Sequence, residues 1–310
     1  MRRVLGAVVL VALLACASPL LAQTPATADL LVTMELEGGA AYQGQPLRID
    51  LEFRNPGQAT IELDAAAFGP DTFAIVDEKG HPARRETTQA GPSSGPLSIE
   101  GQDTVRRSVD LSAWFPKLAS KANRSWTITW SHGGHTTGPR KVRIIKPHDP
   151  QRDREAIVST ALGEMTWTLL PQSAPKHVKR FVDLARQGFY DGLTIFRVIP
   201  GIQAEGGDPN GDGSGAWDRM QPGEIDPSLP ISVGLVGSSR QETSMTSDTM
   251  FFITLGPADF MKGKQTFFAR VTDGVEILAR LQRMENHGNT GLRDSFMLIE
   301  PLTITRIEIR

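Results

Sequence analysis

Chemistry in this chain of 310 residues would have to start from six histidines, one cysteine and a short acidic run. His132 and His135 stand close together, but no cysteine or acidic ligand cluster accompanies them. The pair reads as structural or solvent-facing rather than as a metal site. His81, His148, His177 and His287 are scattered. No Gly-x-Ser-x-Gly or Ser-x-x-Lys motif supplies a nucleophile, and no dinucleotide or P-loop fingerprint occurs. Asp208, Asn210, Asp212 and Gly213 match the first, third, fifth and sixth positions of a calcium loop. The acid that should bring two oxygens at the twelfth position is Arg219 instead, and flanking helices are missing. Gly206, Gly207, Gly211, Gly213 and Gly215 more simply describe a tight loop. Neither a metal nor a cofactor is expected.

Two rhythms run through the elements that would carry these residues. Between about 28 and 147 the pattern has period two: Leu30, Val32, Met34 and Leu36; then Ile49, Leu51 and Phe53; later Trp126, Ile128 and Trp130; and Val142 with Ile144. Gly, Pro and Asn turns separate the runs, which argues for half-buried antiparallel strands. Seven or so short strands without a helical stripe predict an Ig-like β-sandwich over 28–147. Pro147 to Arg154 is charged and carries two prolines, so 148–153 is expected to be a linker. From 154 to 310 strands and helices mix. Ser173 is placed to cap a helix with Pro175 in its first turn. Val178, Phe181, Val182 and Ala185 give that helix an apolar face, and Gly188 ends it. A second helix is expected from near Asp273, with Glu276 completing a capping box and Val275, Leu278 and Leu281 facing one way. In the last strand Leu302 and Ile304 alternate, and Ile307 and Ile309 resume one place late, which predicts a β-bulge.

Composition narrows the partners. Hydrophobic residues make up 39% of the chain, 22% are charged, and the formal net charge is −2, an ordinary globular mixture that allows two domains. No Lys/Arg stripe with interleaved aromatics suggests nucleic acid. At the start, Arg2 and Arg3 precede an apolar run from Val4 to Ala15, the layout of a secretory signal peptide over 1–22. Cleavage after Ala22 is one reading. Leu13-Leu14-Ala15-Cys16 also has the form of a lipoprotein signal, in which Cys16 would carry a lipid anchor, the sole expected link to a membrane. Both imply export to a periplasm or its outer membrane. The folded part then has no cysteine chemistry.

One long segment carries a resemblance. Phe189-Tyr190-Asp191-Gly192-Leu193-Thr194-Ile195-Phe196-Arg197-Val198-Ile199-Pro200-Gly201, followed by Glu205-Gly206-Gly207-Asp208, resembles the signature of the cyclophilin-type peptidyl-prolyl cis-trans isomerases. Met250-Phe251-Phe252-Ile253-Thr254 and the stretch Phe260 to Gly274 resemble later segments of that family, and the likeness runs from about Val158 onward. The chain is read as a divergent bacterial exported member with an N-terminal β-sandwich. The resemblance implies an all-β-dominated chain of two domains whose second is an eight-stranded antiparallel barrel capped by two α-helices.

It also implies a groove for extended X-Pro peptides and no bond breaking, only rotation about an amide. Arg197 occupies the position of the family's catalytic arginine, and Phe252, Phe260, Met261 and Ile202 map to the pocket for the proline ring. Phe251 and Phe252 alternate in a strand, so periodicity alone leaves open which faces the groove; the resemblance selects Phe252. Phe196, Gln203, Glu205, Val236, Gly237, Met250 and Gln265 map to the rest of the substrate groove. Several depart from the family pattern: Phe196 replaces a histidine, Glu205 and Met250 replace glutamines, Gln203 a methionine and Gln265 a histidine. The function expected is isomerisation of X-Pro bonds in proline-containing exported client proteins. The alternative is a catalytically weak or inactive peptide-binding module of the cell envelope.

Overall fold

The computed structural model describes residues 29–86, 95–215, 220–240, 244–292 and 294–310. The segment expected to be a signal peptide, with Cys16, and Arg219 lie outside the described residues.

Among the described residues ten strands form the N-terminal part: β1 (Leu31–Leu36), β2 (Ala41–Tyr42), β3 (Arg48–Arg54), β4 (Ile61–Leu63), β5 (Phe73–Asp77), β6 (Leu97–Ile99), β7 (Thr104–Asp110), β8 (Ser125–His132), β9 (His135–Thr136) and β10 (Arg140–Ile145). They join as β1-β3-β7, as β2-β10-β8-β5 with β9 on β8, and as the pair β4-β6. The alternation read from the sequence is the cause. Ile49, Leu51 and Phe53 on β3 and Ile128 and Trp130 on β8 are fully buried in one apolar core. Phe53 meets the Trp130 ring edge-on at 5.4 Å, and the indole N–H of Trp130 donates to the Ala67 carbonyl at 2.7 Å. A buried indole is tolerated when its one donor is satisfied.

The C-terminal part contains β11 (Glu155–Thr160), β12 (Gly163–Leu169), α1 (Pro175–Gln187), β13 (Thr194–Ile199), β14 (Gln203–Gly206), β15 (Met220–Pro222), β16 (Leu235–Arg240), β17 (Met245–Thr254), β18 (Phe267–Asp273), α2 (Glu276–Leu281) and β19 (Met297–Ile309). The sheet runs β14-β13-β19-β11-β12-β18-β16-β17, and β14 pairs again with β17. That pairing closes an antiparallel barrel of eight strands, with β15 added to β17 outside it. The expected bulge in the last strand is present: Ser159 pairs with Arg306 and Thr160 with Ile304, leaving Thr305 as the extra residue.

Two helices cap the barrel core. Val178, Phe181 and Val182 from α1 and Ile277, Leu278 and Leu281 from α2 enter it, each large side chain contributing roughly 1.5–3 kcal/mol by burial. The helix starts differ from expectation. Ala174, not Ser173, is the N-cap of α1, and it has no side chain to cap with. Ser173 instead donates its hydroxyl to Asp226 at 2.7 Å. The first-turn amides of Lys176 and His177 both donate to Oε2 of Glu224 at 3.0 Å, so a carboxylate from a distant loop does the capping. Asp273 belongs to β18, and α2 starts at Glu276 with Val275 exposed and Ile277 inward. Val275 is its N-cap and Glu276 its first residue, so the expected capping box from Asp273 does not form.

Helix α1 also joins the two parts. Tyr42 donates to Asp183 at 2.5 Å, and Lys179 reaches both Asp183 and the Tyr42 hydroxyl at 2.6 Å. Burial and the hydrogen bond to Asp183 push the Tyr42 phenol above its ordinary value. Arg186 donates to Asp153 at 2.5 Å and to the carbonyls of Lys146 and Pro147, while His148 lies 2.8 Å from the other Asp153 oxygen. The 148–153 segment is therefore pinned against α1.

His177 sits below the helix start, with Nδ1 2.7 Å from Glu224 and Nε2 2.8 Å from the Thr246 hydroxyl. Burial holds its pKa below the ordinary 6.5, partly offset by Glu224. A histidine that protonates more readily unfolded than folded contributes stability that is complete above pH 6.5 and lost as pH falls from there toward the folded value. Burial opposes ionisation of Glu224, but bonds from the His177 ring and the two amides outweigh it and hold the acid below 4.5. Its contribution is present above that pH and lost as pH falls through the folded value. Chemical denaturation should therefore show stability declining from pH 7 toward pH 5 in the wild-type chain. His177→Gln should flatten that slope, and an unchanged slope would remove His177 as its source.

Candidate active site

The site is assembled across four strands. Arg197 on β13 pairs with Glu205 on β14, Glu205 pairs with Phe252 on β17, and Phe252 pairs with Gly237 on β16. Cross-strand partners share a face, so these four residues make one row on the outer wall of the barrel. The parity left open by periodicity resolves accordingly. Phe251 points into the core, edge-on to Trp167 at 5.1 Å. Phe252 points outward into a separate apolar cluster with Leu235, Ala258, Met261 and Phe267.

Arg197 reaches this face through a bulge. Ile195 pairs with Gly206 and Arg197 with Glu205, which leaves Phe196 as the extra residue. The Phe196 ring is buried with Met250 and Met297, and the Arg197 guanidinium lies 5.6 Å from its centroid. Arg197 donates from Nη1 to Oε2 of Glu205 at 2.9 Å, and Gln203 donates to Oε1 of the same carboxylate at 2.5 Å. Both oxygens of Glu205 are thus engaged. The Arg197 side chain is 22% exposed and that of Glu205 13%, so solvent still reaches the guanidinium.

The glycine-rich loop after β14 supports the arginine. Asp208 is buried, and its carboxylate accepts from the amides of Asp212 at 3.0 Å, Gly213 at 2.8 Å and Gly215 at 2.8 Å. This inward use of Asp208 accounts for the calcium-like spacing. Among the described residues no group of three His, Cys, Asp or Glu is arranged to hold a metal. Gly213 has φ +83°, and a Cβ there would stand 3.7 Å from the Phe196 ring and 3.9 Å from Nη2 of Arg197.

On the other side Phe252 is only 3% exposed, its ring edge-on to Phe267 at 5.7 Å. Met261 is buried beside it, while Phe260 is 57% and Ile202 38% exposed. The Leu255 amide donates to the Ile202 carbonyl at 2.9 Å. The turns carrying Ile202 and leading to Phe260 are pressed together at Gly201 and Gly256, where a Cβ on Gly256 would fall 2.1 Å from the Gly201 carbonyl oxygen. Gln265 is half-buried, and its Oε1 has no hydrogen-bond partner.

Four expected groove residues are buried or covered. Val236 lies one place out of phase with Gly237 and is fully buried in the barrel core. Phe196 and Met250 are buried against each other beneath the arginine. Gly237 is covered by Phe252: a Cβ there would stand 2.4 Å from Cζ of that ring. These are supports, not contacts. Arg240 is a support that the sequence did not signal; it donates to the Lys264 carbonyl at 2.6 Å and ties the end of β16 to the loop before Gln265. A backbone acceptor leaves no mark in the side-chain pattern.

Comparison with known proteins gives the family of the C-terminal part. Residues 156–308 match the family described as cyclophilin type peptidyl-prolyl cis-trans isomerase/CLD. The chain is 33% identical over 141 residues to peptidyl-prolyl cis-trans isomerase-like 1 of Rhizopus delemar, covering 44% of this chain and 86% of that one. It is 29% identical over 157 residues to the Homo sapiens protein of the same name, covering 50% and 95%. A crystal structure of a Cryptosporidium parvum cyclophilin type isomerase is 26% identical, covers 51% of this chain and 97% of that one, and superposes with a TM-score of 0.47. The chain belongs to the cyclophilin-type peptidyl-prolyl cis-trans isomerase family, whose members bind proline-containing substrates. These curated relatives, with others from cattle, mouse and further fungi, are fungal and mammalian. That finding overturns the expected place among divergent bacterial exported members.

Gly237→Ala should lower stability by about 1–3 kcal/mol, because the Phe252 ring is backed by Met261 and Phe267 and overpacking costs that much. Urea unfolding monitored by circular dichroism measures it; wild-type stability would mean that the ring has room to retreat.

Proposed function

We propose that this chain accelerates rotation about X-Pro bonds, with Arg197 donating to the prolyl nitrogen and the Phe252–Met261 cluster holding the proline ring. The observation that carries this reading is the row Arg197–Glu205–Phe252 on one outer face. Strands lie about 4.8 Å apart, so the backbones of Arg197 and Phe252 are roughly 10 Å apart, a span that a guanidinium and a prolyl ring can fill together. Peptide rotation faces a barrier of roughly 18–20 kcal/mol, and unassisted X-Pro exchange takes about tens to hundreds of seconds. Lowering it requires only that the twisted amide be bound better than either planar form. As the bond twists, the nitrogen lone pair leaves conjugation and becomes an acceptor. A guanidinium meets it with a fixed, permanently charged donor.

Glu205 is a positioning residue in this scheme. It holds Nη1, and its charge offsets part of the arginine's. Ile202 and Phe260 supply an apolar rim at the edge of the pocket. The N-terminal strands are read as an Ig-like sandwich that carries contacts with the polypeptides handled, supported by two ladders sharing one core.

The test is acceleration of cis-to-trans exchange in short X-Pro peptides, followed by NMR exchange spectroscopy over a panel of X residues. Arg197→Ala should lower kcat/KM by roughly 100-fold or more, as loss of one aimed donor does elsewhere. Glu205→Gln should raise it about threefold by releasing charge while keeping an acceptor for Nη1. Peptide binding with no acceleration by the wild-type chain would overturn the enzymatic reading in favour of a binding module.

A further inference from the structure

The fold gives acidic company to a histidine pair that has none nearby in the sequence. Strand β8 ends at His132, β9 begins at His135, and the two residues pair directly. Only Gly133 and Gly134 separate them, with φ of +58° and +84°, the backbone of a two-residue hairpin turn. Directly opposed residues share a face, with Cβ atoms about 4.5–5.5 Å apart. The face is the inner one. Trp126, Ile128 and Trp130 are buried along β8, and His132 continues that alternation to the rim of the core. Both imidazoles line one opening of about 390 Å³, together with Glu62, Leu63, Asp64 and Pro96.

His132 is held from two sides. Its ring lies 6.4 Å from that of Trp130, and its Nε2 is 3.1 Å from Oδ1 of Asp64. Asp64 is fixed in turn, because the same oxygen accepts from the Ala67 amide at 3.2 Å. The Ala67 carbonyl accepts from the Trp130 indole at 2.7 Å, so the turn carrying Asp64 and the strand carrying His132 are tied to each other. A carboxylate beside Nε2 favours the proton on that nitrogen and leaves the lone pair on Nδ1. A carboxylate acting on the far ring nitrogen is the usual way a metal-binding imidazole is oriented. Asp64 is therefore a support for His132 and not a ligand, in keeping with the lack of any three-ligand group among the described residues. Glu62 adds a second carboxylate to the opening, its Oε1 accepting from the Ser98 hydroxyl at 2.6 Å.

We propose that His132 and His135 chelate one divalent transition-metal ion of the zinc–copper group, with Asp64 as the positioning residue of His132. Two nitrogens each about 2.0–2.1 Å from one ion stand roughly 3 Å apart, a separation that imidazoles on directly opposed Cβ atoms reach by side-chain rotation. Imidazole ligands select zinc, copper or nickel. Calcium and magnesium take oxygen ligands and are not served by this pair. The remaining coordination positions face the opening and go to water, so the ion exchanges with solvent instead of being sealed in. Every residue of the site belongs to the N-terminal part. The proposal goes beyond the isomerase reading and does not rest on it.

The experiment titrates the full chain with zinc chloride by calorimetry, with magnesium chloride as the control. One zinc ion should bind per chain, and magnesium should not. His135→Ala should weaken zinc binding by at least about 100-fold, the upper end of what loss of a mere outer partner costs. Asp64→Asn keeps an acceptor for the Ala67 amide and should weaken it about tenfold. His81→Ala, which removes an exposed histidine elsewhere in the same part, should leave the affinity unchanged. Circular dichroism confirms that the variants are folded. Long-range proton–nitrogen NMR of the wild-type imidazoles needs no variant: zinc should shift Nδ1 of His132 and one nitrogen of His135 together, and Nε2 of His132 should keep its proton. Absence of zinc binding, equal binding of magnesium, or affinity that survives His135→Ala overturns the proposal. So does equal loss in His81→Ala, or a zinc titration that leaves the His132 and His135 nitrogens unshifted. Zinc on Nε2 of His132 overturns the role of Asp64.

Discussion

The pairing of β14 with β17 is the constraint on which the site depends. It closes the barrel, and it sets which of two consecutive phenylalanines faces outward. A slip of one residue would exchange the faces of every side chain on the strand, sending Phe252 and Glu205 inward. Two glycine–aromatic contacts oppose such a slip from opposite faces. On the inner face Gly206 pairs with Phe251, and a Cβ on that glycine would stand 2.9 Å from the ring. On the outer face Gly237 lies beneath Phe252, with still less room. Each ring occupies the space that a side chain on its neighbour would take, so the register is locked by volume as well as by hydrogen bonds. Both glycines are needed for the lack of a side chain and neither for an unusual φ.

Once that register is set, the electrostatics of Arg197 follow. Its neighbour on β14 is an acid whose second oxygen is occupied by Gln203, so the carboxylate has little freedom to swing away. A charge-assisted bond is roughly twice as strong as a neutral one, which gives Arg197 a better-defined position than a neutral amide would. The same bond makes the guanidinium a weaker electrophile toward a nitrogen lone pair. Because the pair is partly solvated, its net worth to stability is small. Its consequence lies in orientation and in the charge available to substrate. The aromatic support below differs in kind. Phe196 is carried outward by a bulge and then sealed by Met250 and Met297, giving the cationic side chain a flat, water-free floor.

Much of this was legible in the pattern of residues. Alternation in β3, β8 and β10 reported burial because each strand has one wet and one dry face. The late return of Ile307 and Ile309 marked the bulge at Thr305, because an extra residue must shift the phase. The misreadings share a cause. Ser173 is a good local cap, but Glu224 reaches the same amides from 47 residues away, and nothing near the helix records that. Val236 was placed in the groove as part of a segment, although the pleat that turns Gly237 outward turns its neighbour inward. Phe196 and Met250 have the composition of a groove lining, and only their mutual contact shows that they line nothing. Nor does the pattern of residues record what α1 does with its other face.

That other face explains why the two parts of the chain meet where they do. The inner stripe of α1 is apolar and is spent on the barrel. Its outer stripe carries Lys179, Asp183 and Arg186, which are polar yet lie against the N-terminal sheet and the segment after it. A buried acid such as Asp183 is costly unless paired. Tyr42 and Lys179 pair one of its oxygens, while Oδ1 has no partner. Such a contact adds little net stability compared with an apolar one, because desolvation offsets most of the attraction. What it adds is discrimination: a displaced sheet would leave the acid, the phenol and the ammonium all unsatisfied. Docking is therefore specified by polar groups from the middle of α1, Lys179 and Asp183, to Arg186 in its last turn. In the last turn Arg186 is engaged, while the neighbouring Gln187 keeps an unmet donor.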